Sequence, residues 1–206
     1  MSQDATAAAQ TTEPLAEEER LRAELYLLLA RLLAAPPNND DLAHLAALTG
    51  DTSDLGTGIT ALAKLAKSTS PKAVTREYNA LFIGVGRGEL LPYGSYYLTG
   101  FLNEKPLARL RDHMEKLGIR RDRDVKEPED HIATLCEMMA GLINGSFGAP
   151  LAIADQEAFF NTHLAPWASH FFTDLEGAEG SLFYAPVGKI GRAFMIIEFE
   201  AFRLDG

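Results

Sequence analysis

Apolar residues recur at helical spacing along most of the chain, and this pattern predicts the fold class. In the first predicted helix, over residues 14–35, the leucines at positions 21, 25, 28 and 32 form one stripe. Residues three and four apart share a face of an α-helix, so this stripe predicts a buried face. No segment of the sequence alternates apolar and polar residues over a convincing strand length. The pattern therefore predicts an all-α fold.

Proline, glycine and capping residues divide the rest of the chain into further helices. These helices are predicted to begin at Asn39 or Asp40, near Thr60, at Ser70–Pro71, Asn103, Glu127–Pro128 and Pro150, and after the glycine-rich turn 177–180. Pro166 is expected to bend or restart the helix that begins at Pro150. The order of elements predicts a single-domain multi-helix bundle with short loops.

The segment from Glu127 to Met139 combines acidic residues, a proline and a histidine with an apolar stripe. Its predicted helix has Glu127 near the N-cap and Pro128 at the first helical position. At about 100° per residue, Asp130 points away from the stripe, as does Glu137, and His131 lies at its edge. Core packing therefore does not explain Asp130. The alternative is that the acidic residues of the first turn complement the helix dipole.

Residues 83–93 form the longest predicted loop of the core region. The glycines between positions 84 and 88 are a weak phosphate-loop signal, because they follow a helix and lack a Gly-Lys-Ser/Thr ending. A flexible connector is the preferred interpretation. Tyr93, Ser95 and Tyr97 follow, and loops often carry binding residues. The alternative is that these rings cover the core.

Length and composition limit the class of protein. The 206 residues, 47% of them hydrophobic, are enough for one domain with a sizeable core. The net charge of −10 argues against broad binding to nucleic acid or anionic membranes. The single cysteine, Cys136, excludes an intrachain disulfide and lies in the apolar stripe, so we expect it to be buried in a protein of a reducing compartment.

The chain is expected to consist of a disordered tail, residues 1–13, and an all-helical domain, residues 14–206. The tail has neither a basic segment nor an apolar run, so it does not resemble a signal peptide. No apolar run approaches the roughly 20 residues that cross a bilayer. These features predict a cytoplasmic protein without stable membrane insertion.

Four motifs occur along the chain in a fixed order. They are Glu77-Tyr78-x-x-Leu81-Phe82-x-Gly84, Pro92-Tyr93-x-Ser95-x-Tyr97, Glu127-Pro128-Glu129-Asp130-His131-Ile132 with Leu135, Glu137 and Met138, and Phe160-x-x-His163-Leu164-x-Pro166-Trp167. Together they resemble the TorD/DmsD family of redox-enzyme maturation chaperones over roughly residues 15–202. The resemblance implies a compact all-helical cytoplasmic protein that binds the twin-arginine signal peptide of a molybdoenzyme precursor. Such a protein assists insertion of the molybdenum cofactor and delays export until maturation.

The same resemblance implies a set of binding residues and partners. The signal-peptide surface carried over by motif comprises Tyr93, Ser95, Glu127, Pro128, Asp130 and His131. The partners are the leader and body of the precursor, with no nucleic acid, and the protein is either a monomer or a domain-swapped dimer. No catalytic residue, metal or cofactor is implied. The residue types suit the task, because arginine binds carboxylates through paired hydrogen bonds.

A metal-dependent helical-bundle enzyme is the alternative, with ligands Glu127, Glu129, Asp130 and His131. Di-iron bundles require Glu-x-x-His on two helices, and neither His131 nor His163 lies in such a pair. The sequence also contains no Cys-x-x-Cys and no nucleophile elbow. It therefore favours a chaperone over an enzyme.

Overall fold

The computed structural model describes residues 15–121 and 126–205, and within these ranges it contains ten α-helices and no strand. The helices are α1 Glu17–Ala34, α2 Asn39–Ala46, α3 Asp54–Ser68, α4 Pro71–Tyr78, α5 Gly94–Thr99, α6 Lys105–Lys116, α7 Ile132–Asn144, α8 Ile153–His163, α9 Ala168–Gly177 and α10 Tyr184–Asp205. One turn of π-helix, Asn79–Ile83, continues α4. The predicted single-domain, all-α fold is confirmed. The tail predicted over residues 1–13 lies outside the described residues.

Helix α7 is the centre of the bundle because its sequence is apolar on nearly every side. Ten of its 13 residues are buried, and α1 packs along it. Helix α10 packs along α9 and α3. Many aromatic side chains fill the space between the helices: Tyr26, Phe159, Phe160, Trp167, Phe171, Phe172, Tyr184 and Phe194. Cys136 has no exposed surface, so its predicted burial is confirmed.

Two polar features fix the outer helices against this core. The buried carboxylate of Glu198 on α10 accepts hydrogen bonds from Arg22 Nε at 2.7 Å and from Tyr26 Oη at 2.9 Å, both on α1. A buried charge is tolerated when it is paired and hydrogen-bonded in this way. At the other end of α1, Tyr78 Oη donates to the carbonyl of Ala34 at 3.0 Å. Helix α1 is therefore anchored at both ends.

Helix boundaries follow the predictions where the signal is local. Ser70 caps α4, with Pro71 at its first position, and the chain between α8 and α9 breaks around Pro166. Helix α8 begins at Ile153, not at Pro150, because the amide of Leu151 still donates to the carbonyl of Leu142 on α7 at 2.9 Å. A tertiary contact here overrides the proline signal.

Two other starts differ from the prediction. Asn103 does not cap α6: it has a positive φ of 60°, and α6 begins after Glu104. Helix α3 begins at Asp54, because the Ser53 side chain accepts a hydrogen bond from the amide of Gly56 at 3.0 Å. None of the helices within the described ranges combines the length and apolar character that crossing a membrane requires.

Candidate functional site

The two motif segments predicted to bind a partner meet in space through backbone pairing. Tyr93 and His131 form an isolated antiparallel bridge. The amide of Gly94 donates to the carbonyl of Asp130, and the amide of Ile132 donates to the carbonyl of Pro92, each at 2.9 Å. Segments that are 38 residues apart at Tyr93 and His131 are thus joined, and the structure brings all six predicted site residues to one place.

The pairing corrects two predictions about local structure. Helix α7 begins at Ile132 with His131 as its N-cap, so the predicted start at Glu127 and Pro128 is wrong. The backbone before Ile132 pairs with the Pro92 segment and cannot at the same time be helical. The predicted tyrosine loop is also wrong in part, because α5 begins at Gly94 directly after the bridge.

Asp130 is buried, not exposed on the far side of a helix as the sequence predicted. Only 3% of its surface is exposed, and its Oδ2 accepts the amide of Ser95 at 2.7 Å. An acidic side chain that accepts an amide in the first turn of a helix stabilises that helix end, so Asp130 fixes the start of α5. Its second oxygen, Oδ1, and the Ser95 hydroxyl are buried without a hydrogen-bond partner among the described residues.

His131 is a structural residue of the same turn. Its Nδ1 accepts the amide of Ala133 at 3.1 Å, so the neutral ring carries its proton on Nε2. Burial lowers the pKa of His131 to about 4, although the nearby carboxylates of Glu127 and Asp130 act in the opposite direction. The Tyr93 ring packs edge-on against it, with centroids 5.2 Å apart. His131 is therefore neutral at physiological pH.

The accessible part of the predicted site consists of Glu127, Tyr93 and Pro128. Glu127 is exposed, whereas Tyr93 and Pro128 are half-buried. The Tyr93 hydroxyl donates a hydrogen bond to the Glu127 carboxylate. Burial and this hydrogen bond raise the pKa of Tyr93 well above its usual value, so the phenol keeps its proton and remains a donor. A partner can reach the carboxylate of Glu127, but not that of Asp130.

Glu129 lies between these residues and is held by two arginines. Its carboxylate accepts from Arg111 Nη2 at 2.8 Å and is 3.5 Å from Arg121 Nη1. Burial alone would raise the pKa of Glu129, but the hydrogen bonds and charges of the arginines outweigh it and lower the pKa. Glu129 thereby ties the turn to α6. Each of the four side chains proposed as metal ligands thus makes its hydrogen bonds to a different residue of the protein. The described residues contain no group of three or more His, Cys, Asp or Glu that could hold a metal ion.

The sequence analysis missed two features around this turn. The first is Gly94, whose absent Cβ would lie 3.1 Å from Trp167 Nε1, so glycine lets α5 approach the tryptophan. The second is a groove beside the turn that contains Glu137 and Met138. Glu137 was predicted to face away from the core, and it is exposed. The helical spacing that places Glu137 on the outer face of α7 was the sequence signal that could have pointed to this groove.

The chain is similar to a family of known proteins over most of its length. The model of the family described as nitrate reductase delta subunit matches residues 49–173, which include both paired segments. The chaperone protein TorD of Vibrio atlanticus is 28% identical over 200 residues, which cover 87% of this chain and 93% of that protein. The chaperone protein TorD of Photobacterium profundum is 31% identical over 137 residues, covering 59% of this chain and 63% of that protein.

A solved structure has the same fold. It is a crystal structure described as a redox enzyme maturation protein from Archaeoglobus fulgidus, and it matches with a TM-score of 0.57 and 24% sequence identity. The match covers 92% of this chain and 99% of that chain. At this identity the likeness concerns the fold alone.

Proposed function

The chain belongs to the nitrate reductase delta subunit family, a family of TorD-like maturation chaperones and not of enzymes, and from this membership we propose that it binds the twin-arginine signal peptide of a molybdoenzyme precursor. In this proposal the protein acts in the cytoplasm, assists insertion of the molybdenum cofactor and delays export until maturation is complete. Its partners are the leader and the body of the precursor. In this role it is a monomer or a domain-swapped dimer.

The observation that carries the proposal is the backbone pairing between Tyr93 and His131. This pairing joins two family motifs that are distant in sequence and presents the Glu127 carboxylate on their common surface. A leader with adjacent arginines needs an accessible carboxylate, because guanidinium groups bind carboxylates through paired hydrogen bonds. The half-buried ring of Tyr93 beside it supplies apolar area and a hydroxyl.

The six site residues have two different tasks in this proposal. Glu127, Tyr93 and Pro128 contact the leader. The burial of Ser95, Asp130 and His131 supports a positioning role, in which they hold the two segments together and set the place of the Glu127 carboxylate. A surface held rigidly before binding loses less conformational freedom when the leader binds.

Capture of precursors with and without their leaders tests the proposed function. The purified protein is expected to retain a molybdoenzyme precursor that carries its leader, and to retain much less of the same precursor after deletion of the leader. A leader with both arginines replaced by glutamine is the matched control, since it keeps the apolar segment. Equal retention of all three precursors would overturn leader recognition.

A further inference from the structure

A groove of about 250 Å³ runs beside the turn, between α6, α7 and residues 119–121, which follow α6. Its apolar lining includes Met114 and Met138, which are nearly buried, and Phe147, which is 44% exposed. The Phe147 ring lies against the backbone of α7, because a Cβ on Gly141 would lie 2.2 Å from it. Methionines adapt their shape to different apolar partners. The groove therefore offers an adaptable apolar floor.

Two carboxylates in the groove have no cationic partner among the described residues. Glu137 on α7 is exposed, and its side chain makes no hydrogen bond or ion pair with the described residues. The Glu127 carboxylate, on the turn, accepts the Tyr93 hydroxyl and no other donor of the described residues. Glu129, by contrast, already pairs with Arg111 and Arg121. Among the described residues that line the groove, the carboxylates without a cationic partner are therefore those of Glu127 and Glu137, on two different elements.

The cations of the groove are less available to a partner than these carboxylates. Arg121 donates to the Glu127 carbonyl at 3.1 Å and pairs with Glu129. Arg120 is exposed and lines the same groove. Its positive charge opposes the approach of a cationic partner. Removing this charge should therefore strengthen the binding of such a partner.

We propose that this groove binds the arginine pair of the leader. Glu127 and Glu137 each accept hydrogen bonds from one guanidinium, and Met138 and Phe147 contact the adjacent apolar residues. The inference rests on the proposed function and adds Glu137 and the apolar floor to the binding surface. Successive side chains of an extended peptide point in opposite directions. Carboxylates on the turn and on α7 suit two neighbouring arginines for this reason.

Titration calorimetry with a synthetic twin-arginine leader peptide tests the inference. Glu137→Gln is expected to weaken binding about fivefold, the upper range for the loss of one exposed charge pair, and Glu127→Gln/Glu137→Gln to weaken it further. Arg120→Gln is expected to strengthen binding, because it removes the opposing charge. Glu18→Gln is the matched control, since Glu18 is exposed on α1 and has no ion pair there. Unchanged denaturant melts would verify that the variants remain folded.

The outcomes separate this inference from the proposed function. If wild type binds the leader and Glu137→Gln binds it as tightly as Glu18→Gln, the arginines do not bind in the groove, although the proposed binding of the leader is upheld. If wild type binds the leader no better than a peptide with both arginines replaced by glutamine, the function and the groove are both wrong. A lysine-pair peptide adds a further measure. Because lysine cannot form the paired hydrogen bonds, Glu137→Gln should reduce the preference for arginine over lysine.

Discussion

Buried neutral His131 makes the stability of the protein depend on pH. Its folded-state pKa is about 4, whereas a histidine in an unfolded chain titrates near 6.5. Between these values the unfolded chain binds a proton that the folded protein does not. The free energy of unfolding therefore falls as the pH falls through this window.

The size of the effect follows from the two pKa values. One group with this shift loses about 2 kcal/mol of stability between pH 7 and pH 5, and about 3 kcal/mol once the pH lies below both values. His163 is also buried, and its pKa is lowered to about 4 by burial and by the nearby His113. Its contribution has the same sign. Protonating His131 would in addition place a proton on Nδ1, the atom that accepts the Ala133 amide.

Urea unfolding of wild type and His131→Asn at pH 7, 6 and 5 measures this contribution. Asparagine is a good N-cap and does not titrate, so it can keep an acceptor for the amide of Ala133. The difference in unfolding free energy between the two proteins should shift by about 2 kcal/mol in favour of the variant from pH 7 to pH 5. Parallel pH profiles would refute the reasoning, because the carboxylates and His163 titrate in both proteins.

Two further predictions concern single residues. Cys136 should react with a thiol reagent only after unfolding, because it has no exposed surface and burial raises the pKa of its thiol. Rapid labelling of the native protein would contradict this. Asp130→Asn should lower the free energy of unfolding by about 1–2 kcal/mol, since it weakens a charged hydrogen bond to the Ser95 amide. A denaturant melt indistinguishable from that of wild type would refute the positioning role of Asp130.

The fold could be predicted because its signals are local and repeated. Apolar residues at helical spacing identify α1, α7 and α10 without knowledge of their neighbours, and the same spacing places Glu137 on the outer face of α7. The turn before α7 could not be predicted in this way. Pro128 is a valid local signal for a helix start, but the boundary is set by pairing with residues 92–94, which lie far away in the sequence.

The error at Asp130 has the same origin as the error in the helix start. A helical wheel that begins at Glu127 places Asp130 on the solvent side, whereas Asp130 lies in the turn just before the bridge, where its side chain accepts the amide of Ser95. The sequence motif identified which residues belong to the turn. Its orientation depended on a long-range contact that no local pattern specifies.

The separation between buried and exposed motif residues changes how variants of this site have to be interpreted. Asp130 holds the turn that carries Glu127, so Asp130→Asn can weaken leader binding without any contact between Asp130 and the leader. Loss of affinity alone therefore does not distinguish a contact residue from a positioning residue. The preference for an arginine-pair over a lysine-pair leader does distinguish them. Removing a contacting carboxylate at Glu127 or Glu137 eliminates the paired hydrogen bonds and reduces this preference, whereas displacing the turn as a whole weakens both leaders by a similar factor.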